Sequence, residues 1–318
     1  AAAMHPYHTL SGFLPTGTCC TFGAAAAGAK LMGLDETGMI NALGNAGYLA
    51  PLSMAEQLMG GYTIKIVQGG QAASAGIMAA GLASRGVTGH PQVLEGSELK
   101  GGFTQITVKA EPVFDRITDR LGEHLTIMDV YFKPYTACRH THGAAQAALE
   151  LLKERPIKTG DIDAVTVYSY GIALIAVGKG VTKESSFVTA QFSIPHVTAA
   201  CLLDGDLGPK QLTEKRIADP MLLDLAGKVT VVMDDELNKV YPEKTSSRVE
   251  IVMKNGEKLI KQVDIPKGDP RDPMGADDLA AKVHRFAGNR DGKKVDRVID
   301  MVLGLEKLEN IKELVALI

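Results

Sequence analysis

The chain has 318 residues, enough for one large or two ordinary domains, and sets 34 Lys and Arg against 37 Asp and Glu for a formal net charge of −3. It holds no basic block and no apolar run long enough to span a bilayer, which speaks against a nucleic-acid or membrane partner. The cysteines (Cys19, Cys20, Cys138, Cys201) form no CxxC pair and no signal peptide is seen, so a reducing, cytoplasmic setting is expected.

In chain order, the first hundred residues predict helices built from small side chains. Phe22–Leu34 (FGAAAAGAKLMGL) is one, Asp35–Gly47 a second with Asp35 as N-cap, and Gln71–Arg85 (QAASAGIMAAGLASR) a third. Such helices carry little apolar area each and need neighbours on several sides, so this part reads as a slice of a helical bundle. From about Ile106 the composition changes. Ile162–Tyr170, Lys228–Met233 and Arg248–Met253 are β-branched runs of strand length, and Asn255-Gly256 predicts a type I′ hairpin leading into Lys258–Ile265. Helices over Gly143–Glu154 and Val197–Asp204 alternate with these strands. Lys267–Pro273 reads as a Pro/Gly-rich linker, followed by helical patterns over Ala276–Ala287 and Val295–Ile318 that return to the helical part. The expected fold is α+β, divided into a helical domain over 1–128, an α/β domain over 129–268 and C-terminal helices over 269–318.

Residues 133–142 (KPYTACRHTH) are the most informative stretch, with two histidines, a thiol, two fixed cations and a phenol in front of a helix. Burying each of these without a partner costs several kcal/mol, so the segment is either a solvated loop or the lining of a polar cavity. Run extended, it places Cys138, His140 and His142 on one side and Lys133, Tyr135 and Arg139 on the other. Thr141 is then the N-cap of a helix whose free N–H groups suit a carboxylate or phosphate, and a histidine there can act as acid or base near neutral pH. Cys138, His140 and His142 also offer three metal ligands, but zinc ligands rarely all come from five residues and no acidic partner is near, so no metal is expected. Gly69-Gly70 and Gly101-Gly102 fit no dinucleotide or phosphate-loop pattern. His5, His8, His90 and His284 read as surface residues.

Four blocks, in order along nearly the whole chain, are Gly12–Thr18 (GFLPTGT) running into Phe22; Lys65–Gly76 (KIVQGGQAASAG); residues 133–142; and Ala190–His196 (AQFSIPH) before 199–205 (AACLLDG). Together they resemble the MmgE/PrpD family, which includes 2-methylcitrate dehydratase, cis-aconitate decarboxylase and iminodisuccinate epimerase. The resemblance implies an all-helical domain interrupted by an α/β lid domain. It further implies a cofactor-independent lyase or isomerase acting on a small di- or tricarboxylate, with a 2-methylcitrate dehydratase-like carbon–oxygen lyase foremost. The family's reactions dehydrate, decarboxylate or epimerise by moving a proton alpha to a carboxylate, which needs fixed positive charge, a base and an acid. Lys65, between Gly60-Gly61 and Gly69-Gly70, is expected to bind the carboxylates with Lys133 and Arg139. Gln191, Ser193 and Thr16 are further substrate contacts, although Gln191 or Ser193 can equally cap a helix. For proton transfer His142 comes first, then His140, Tyr135 and His196, the last also a candidate cap; Cys138 is a proton donor or simply a small hydrophobe.

Two departures bear on function. Leu14 and Gln68 stand where the family often has histidine, and the long helical stretch that generally opens the family's chains has no counterpart here. These imply a second subunit supplying the missing helices, a homo-oligomer, or both. The alternative is a non-catalytic scaffold or regulatory subunit of such an assembly.

Overall fold

Alanine and glycine set how closely the helices approach in the first part of the chain. In the computed structural model, which describes residues 2–318, contacts divide the protein into two units, one ending at Leu125 and one spanning Thr126–Ile318. The first unit is built on helices α1 (Pro15–Leu31), α2 (Glu36–Leu49) and α3 (Gln68–Ala83). Asp35 caps α2, its carboxylate accepting from the Gly38 N–H at 2.8 Å. Helix α1 starts at Pro15, well before the expected Phe22, because proline presets φ for the first turn and Gly17 leaves room for Ser53.

Ala25, Ala29, Ala72, Ala79 and Ala80 are fully buried, and Gly76 brings α3 onto the backbone of α1. A Cβ at Gly76 would stand 2.5 Å from both the Ala24 Cβ and the Thr21 carbonyl oxygen. The larger apolar side chains of the same helices, Leu31, Tyr48, Ile77 and Met78, are exposed. So the contact between α1 and α3 is made largely of methyl groups, and these helices present an apolar outer face.

The second unit holds helix α4 (His142–Glu154), strand β1 (Ile162–Ser169), helices α5 (Phe187–Gln191), α6 (Ile194–Asp204) and α7 (Pro220–Gly227), and strands β2 (Val229–Met233), β3 (Ser247–Met253) and β4 (Lys258–Val263). The strands form one four-stranded sheet in the order β2-β1-β3-β4, with β1 and β2 parallel and the other pairs antiparallel. Inward residues Val165, Val167, Val249 and Ile251 meet the alanine faces of α4 and α6, and α4 lies on β3 and β4. Gly143, second residue of α4, permits that approach: a Cβ there would come within 2.9 Å of the Ser247 side chain. The protein is therefore α+β, helical with a small mixed sheet. No helix among the described residues is long and apolar enough to cross a membrane.

Two local expectations are corrected. The β3–β4 hairpin is not type I′, because Gly256 takes a positive φ of 84° while Asn255 does not. The Gly256 N–H binds the Met253 carbonyl and the Met253 N–H binds the Glu257 carbonyl, a tight turn followed by a left-handed glycine bulge. The predicted helix over Val295–Ile318 is interrupted: after α8 (Ala276–Ala287), α9 runs over Gly292–Leu303 and stops at Gly304, with a short helix at Lys312–Val315. Glycine's backbone freedom ends the periodic pattern there. Helix α8 is tied to the second unit by Arg285, which pairs with Asp206 at 3.0 Å and donates to the Pro134 carbonyl.

Gly76 and Gly81 make opposite tests in one helix. Replacing an interior helical glycine by alanine favours the helix by about 1 kcal/mol, whereas overpacking costs about 1–3 kcal/mol. A Cβ at Gly81 meets nothing within 4 Å. Gly81→Ala should raise the denaturation midpoint of the first unit and Gly76→Ala should lower it, as read by chemical denaturation followed by circular dichroism.

Candidate active site

The ionisable segment is pinned to its surroundings by backbone bonds on each side. The Phe132 N–H donates to the Gly268 carbonyl at 2.8 Å and the Cys138 N–H to the Gln191 carbonyl at 2.9 Å. Gly268, with φ +90°, lies so close to the Phe132 carbonyl that no side chain would fit. After Cys138 the chain turns through a short 3-10 helix, Arg139–Thr141, and enters α4. The expected extended alternation therefore fails: the backbone bends over residues 134–137 and turns again after Cys138. Thr141 does not cap α4: its backbone is helical and its hydroxyl donates back to the Cys138 carbonyl at 2.9 Å. The turn also breaks the row of Cys138, His140 and His142. Among the described residues no three His, Cys, Asp or Glu groups are placed to hold a metal ion.

Arg139 is buried and engaged by its own chain. Its guanidinium donates to the carbonyls of Lys267 at 3.2 Å and Pro266 at 3.0 Å, pairs with Asp269 at 3.5 Å, and lies over the Tyr131 ring at 4.4 Å. The segment read as a linker, Lys267–Pro273, is thus a buttress for this arginine. Arg271 also holds Asp269, at 2.8 Å, and keeps its carboxyl below the usual range.

His142 is sealed from solvent at the start of α4. Its Nε2 faces the Ala137 carbonyl at 3.4 Å, its ring meets Tyr135 edge-on at 5.2 Å, and its Nδ1 has no hydrogen-bond partner. Burial first, then the charges of Arg139, Lys133 and Lys282, press its pKa down to about 3. Burial likewise pushes the Tyr135 phenol up. Tyr135 lines a cavity of about 430 Å³ with Pro134, Lys153, Asp206, Lys282 and Arg285, in which cations outnumber carboxylates. Lys133 itself is exposed.

His140 Nδ1 lies 2.6 Å from the Tyr170 hydroxyl. His196 is fully buried with its Nε2–H on the Gln211 carbonyl at 3.1 Å, which commits that nitrogen to donation. The cap of α6 is Ser193, not His196: the Ser193 hydroxyl accepts from the His196 N–H at 3.2 Å. Gln191 ends α5. Lys65, within the turn Thr63–Val67, and Thr16, exposed in the first turn of α1, belong to the first unit; all the other candidates belong to the second.

His8 corrects the expectation of a surface residue, since it is buried between Phe13 and Phe103. The Thr18 hydroxyl donates to the Leu14 carbonyl and accepts from His8 Nε2 at 2.7 Å, while burial lowers the His8 pKa to about 4. The residues the sequence did not single out, Tyr131, Tyr170, Asp269 and Arg285, are distant in the chain from residues 133–142 or carry no local motif. Only the Asp-Pro run of the supposed linker marked Asp269 as unusual.

A mixed-sheet unit that buries imidazoles among fixed cations is a setting for proton chemistry on an anion. Residues 1–114 match the MmgE/PrpD N-terminal domain and residues 135–307 the MmgE/PrpD C-terminal domain, and the chain belongs to the MmgE/PrpD family. It is 28% identical over 310 residues to a cis-aconitate decarboxylase of Aspergillus terreus, covering 93% of this chain and 62% of that protein. It is 28% identical over 319 residues to the Homo sapiens cis-aconitate decarboxylase, covering 96% and 63%. The Mus musculus cis-aconitate decarboxylase is 27% identical over 314 residues, covering 95% and 60%. The chain spans about 60% of the length of the curated relatives it matches.

The depressed pKa of His142 makes stability acid-sensitive. An unfolded histidine titrates near 6.5, so between that pH and about 3 the unfolded chain binds a proton that the folded one refuses. Stability is then full above pH 6.5 and falls on acidification by about 1.4 kcal/mol per pH unit for one such group. His142→Gln should flatten the fall of the denaturation midpoint between pH 6.5 and 4. His8 and His196, also depressed by burial, will keep a residual slope.

Proposed function

We propose that the whole protein is a cofactor-independent lyase acting on a small tricarboxylate of the cis-aconitate type. Likeness to three cis-aconitate decarboxylases across more than nine-tenths of the chain supports the substrate class. The observation that carries the reading within the chain is His142: a neutral imidazole with an unpartnered nitrogen, set among Arg139, Lys133 and Lys282. In a decarboxylation the C–C bond breaks, CO2 departs, and the electron pair left on carbon takes up a proton. Dehydration or epimerisation instead removes a proton next to a carboxylate. Either route develops negative charge that fixed cations stabilise.

A pKa of about 3 makes His142 a weak base while the site is empty. A bound polycarboxylate supplies the opposite charge that raises it, so basicity appears with substrate. Lys133 is the carboxylate-binding cation of this reading within the second unit. Arg139 serves by positioning the segment, since its donors are already engaged. Tyr135, Cys138 and His140 handle protons beside His142, while Gln191, Ser193 and His196 complete or support the cleft.

The second reading is a non-catalytic subunit, favoured by Leu14, buried at the start of α1, and Gln68, which stand where the family often has histidine. Under either reading the exposed Leu31, Ile77 and Met78 are to be covered by a partner chain carrying further helices. Turnover only in a mixture with a co-purifying helical subunit would support a split enzyme; turnover by this protein alone would remove the need for one.

Lys133→Ala and His142→Ala should each abolish turnover of cis-aconitate while leaving the circular dichroism spectrum unchanged. Full activity in both would sink the assignment. Following products by NMR in deuterated water separates CO2 loss, hydration change and plain proton exchange in one assay.

A further inference from the structure

Lys282 and Arg285 of α8 line the cavity of about 430 Å³ beside Tyr135, together with Lys153 of α4 and Lys267. Its lining holds two carboxylates, and both are already engaged. Asp206 pairs with Arg285 at 3.0 Å, and Asp278 pairs with Lys267 at 3.7 Å. Lys153 and Lys282 are left over. Among the described residues neither has a carboxylate within ion-pair distance, and Lys282 lies over the Phe286 ring at 5.4 Å. Lys282 is half-buried, and burial, with the Arg285 charge adding to it, lowers its pKa.

An ammonium that gives up water without gaining a counter-charge is destabilising, and like charges three residues apart on one helix face repel. A bound anion relieves both effects. Beside the cations the wall is apolar, with Leu149, Leu152 and Met274 supplying carbon surface. The volume lies within the range of small-molecule sites, roughly 300–1,000 Å³. The protein itself fixes this wall, because Arg285 donates to the Pro134 carbonyl and Met274 is buried.

The cavity is separate from the imidazole site. His142 is sealed from solvent and does not line it, nor do Lys133, Cys138 or His140. Tyr135 is the shared wall, lining the cavity and meeting the His142 ring edge-on at 5.2 Å. We propose that this cavity is a second anion site, built for a small dicarboxylate whose charges meet Lys153 and Lys282 while its carbon chain lies on Leu149, Leu152 and Met274. The assignment goes beyond the lyase reading and stands whether or not His142 is catalytic.

The test is binding of succinate to protein labelled with 13C at the methionine methyls, followed by NMR, the Met274 signal being assigned by its loss in Met274→Leu. The Met274 methyl should shift to saturation with succinate. Lys153→Gln and Lys282→Gln should each weaken that binding roughly tenfold or more, while the other methionine signals report that each variant keeps its fold. Lys133→Ala should bind succinate at Met274 as the wild type does. Inorganic phosphate carries the charge without the carbon chain and should bind more weakly than succinate. A Met274 signal that ignores succinate, or one that responds equally in the wild type and both Gln variants, overturns the proposal. Loss of the response in Lys133→Ala would assign the binding to the imidazole site and overturn it as well. Phosphate binding as tightly as succinate would overturn the choice of a dicarboxylate.

Discussion

A buried guanidinium has five donors and no acceptor, and each donor must be met where water cannot reach. Arg139 meets this demand with the carbonyls of Pro266 and Lys267, the Asp269 carboxylate and the face of Tyr131. Residues 266–269 are thereby fastened to the entrance of α4, and the Phe132–Gly268 bond draws in the stretch before it. Breaking a buried pair of this kind by removing one member costs about 3–5 kcal/mol. The ionisable segment holds its shape because that cost opposes any rearrangement. Asp269 and Arg271 extend the anchor outward.

The same arginine carries an electrostatic consequence. Its charge, with those of Lys133 and Lys282, adds to burial in keeping His142 neutral. A site that binds anions through fixed cations resists protonating its own imidazole until an anion arrives. Anchor and proton chemistry are therefore coupled through one residue. In the proposed site, the structural role of Arg139 and the protonation state of His142 are two effects of one charge.

Packing in both units depends on small residues. Gly76 lets α3 touch the backbone of α1, and Gly143 lets the start of α4 meet Ser247. Close approach by glycine and alanine gives dispersion contact and fixed distances but little buried apolar area. The larger side chains at Leu31, Ile77 and Met78 stay outside the first unit's core. The second unit has the larger core because β-branched strand residues at Val165, Val167, Val249 and Ile251 supply the area that alanine lacks.

Local chemistry was legible wherever it acts over a few residues. The strands, the Asp35 cap, the alanine-rich helices and the ionisable run at 133–142 could all be read in the sequence, because period, capping and burial cost are properties of neighbours along the chain. The type I′ turn at Asn255-Gly256 and the Thr141 cap were misread, since each has two local solutions and the paired strand or the preceding carbonyl chose between them. Burial of His8 was illegible because the rings that enclose it lie at Phe13 and Phe103. The partners of Arg139 and His140 lie at residues 266–269 and at Tyr170, and no pattern along the chain joins them. Composition and periodicity thus determined which elements form and which groups carry chemistry. Only tertiary structure decided which of those groups are charged, tautomerically fixed or engaged in holding the chain, because solvent exclusion and hydrogen-bond geometry depend on what is near in space.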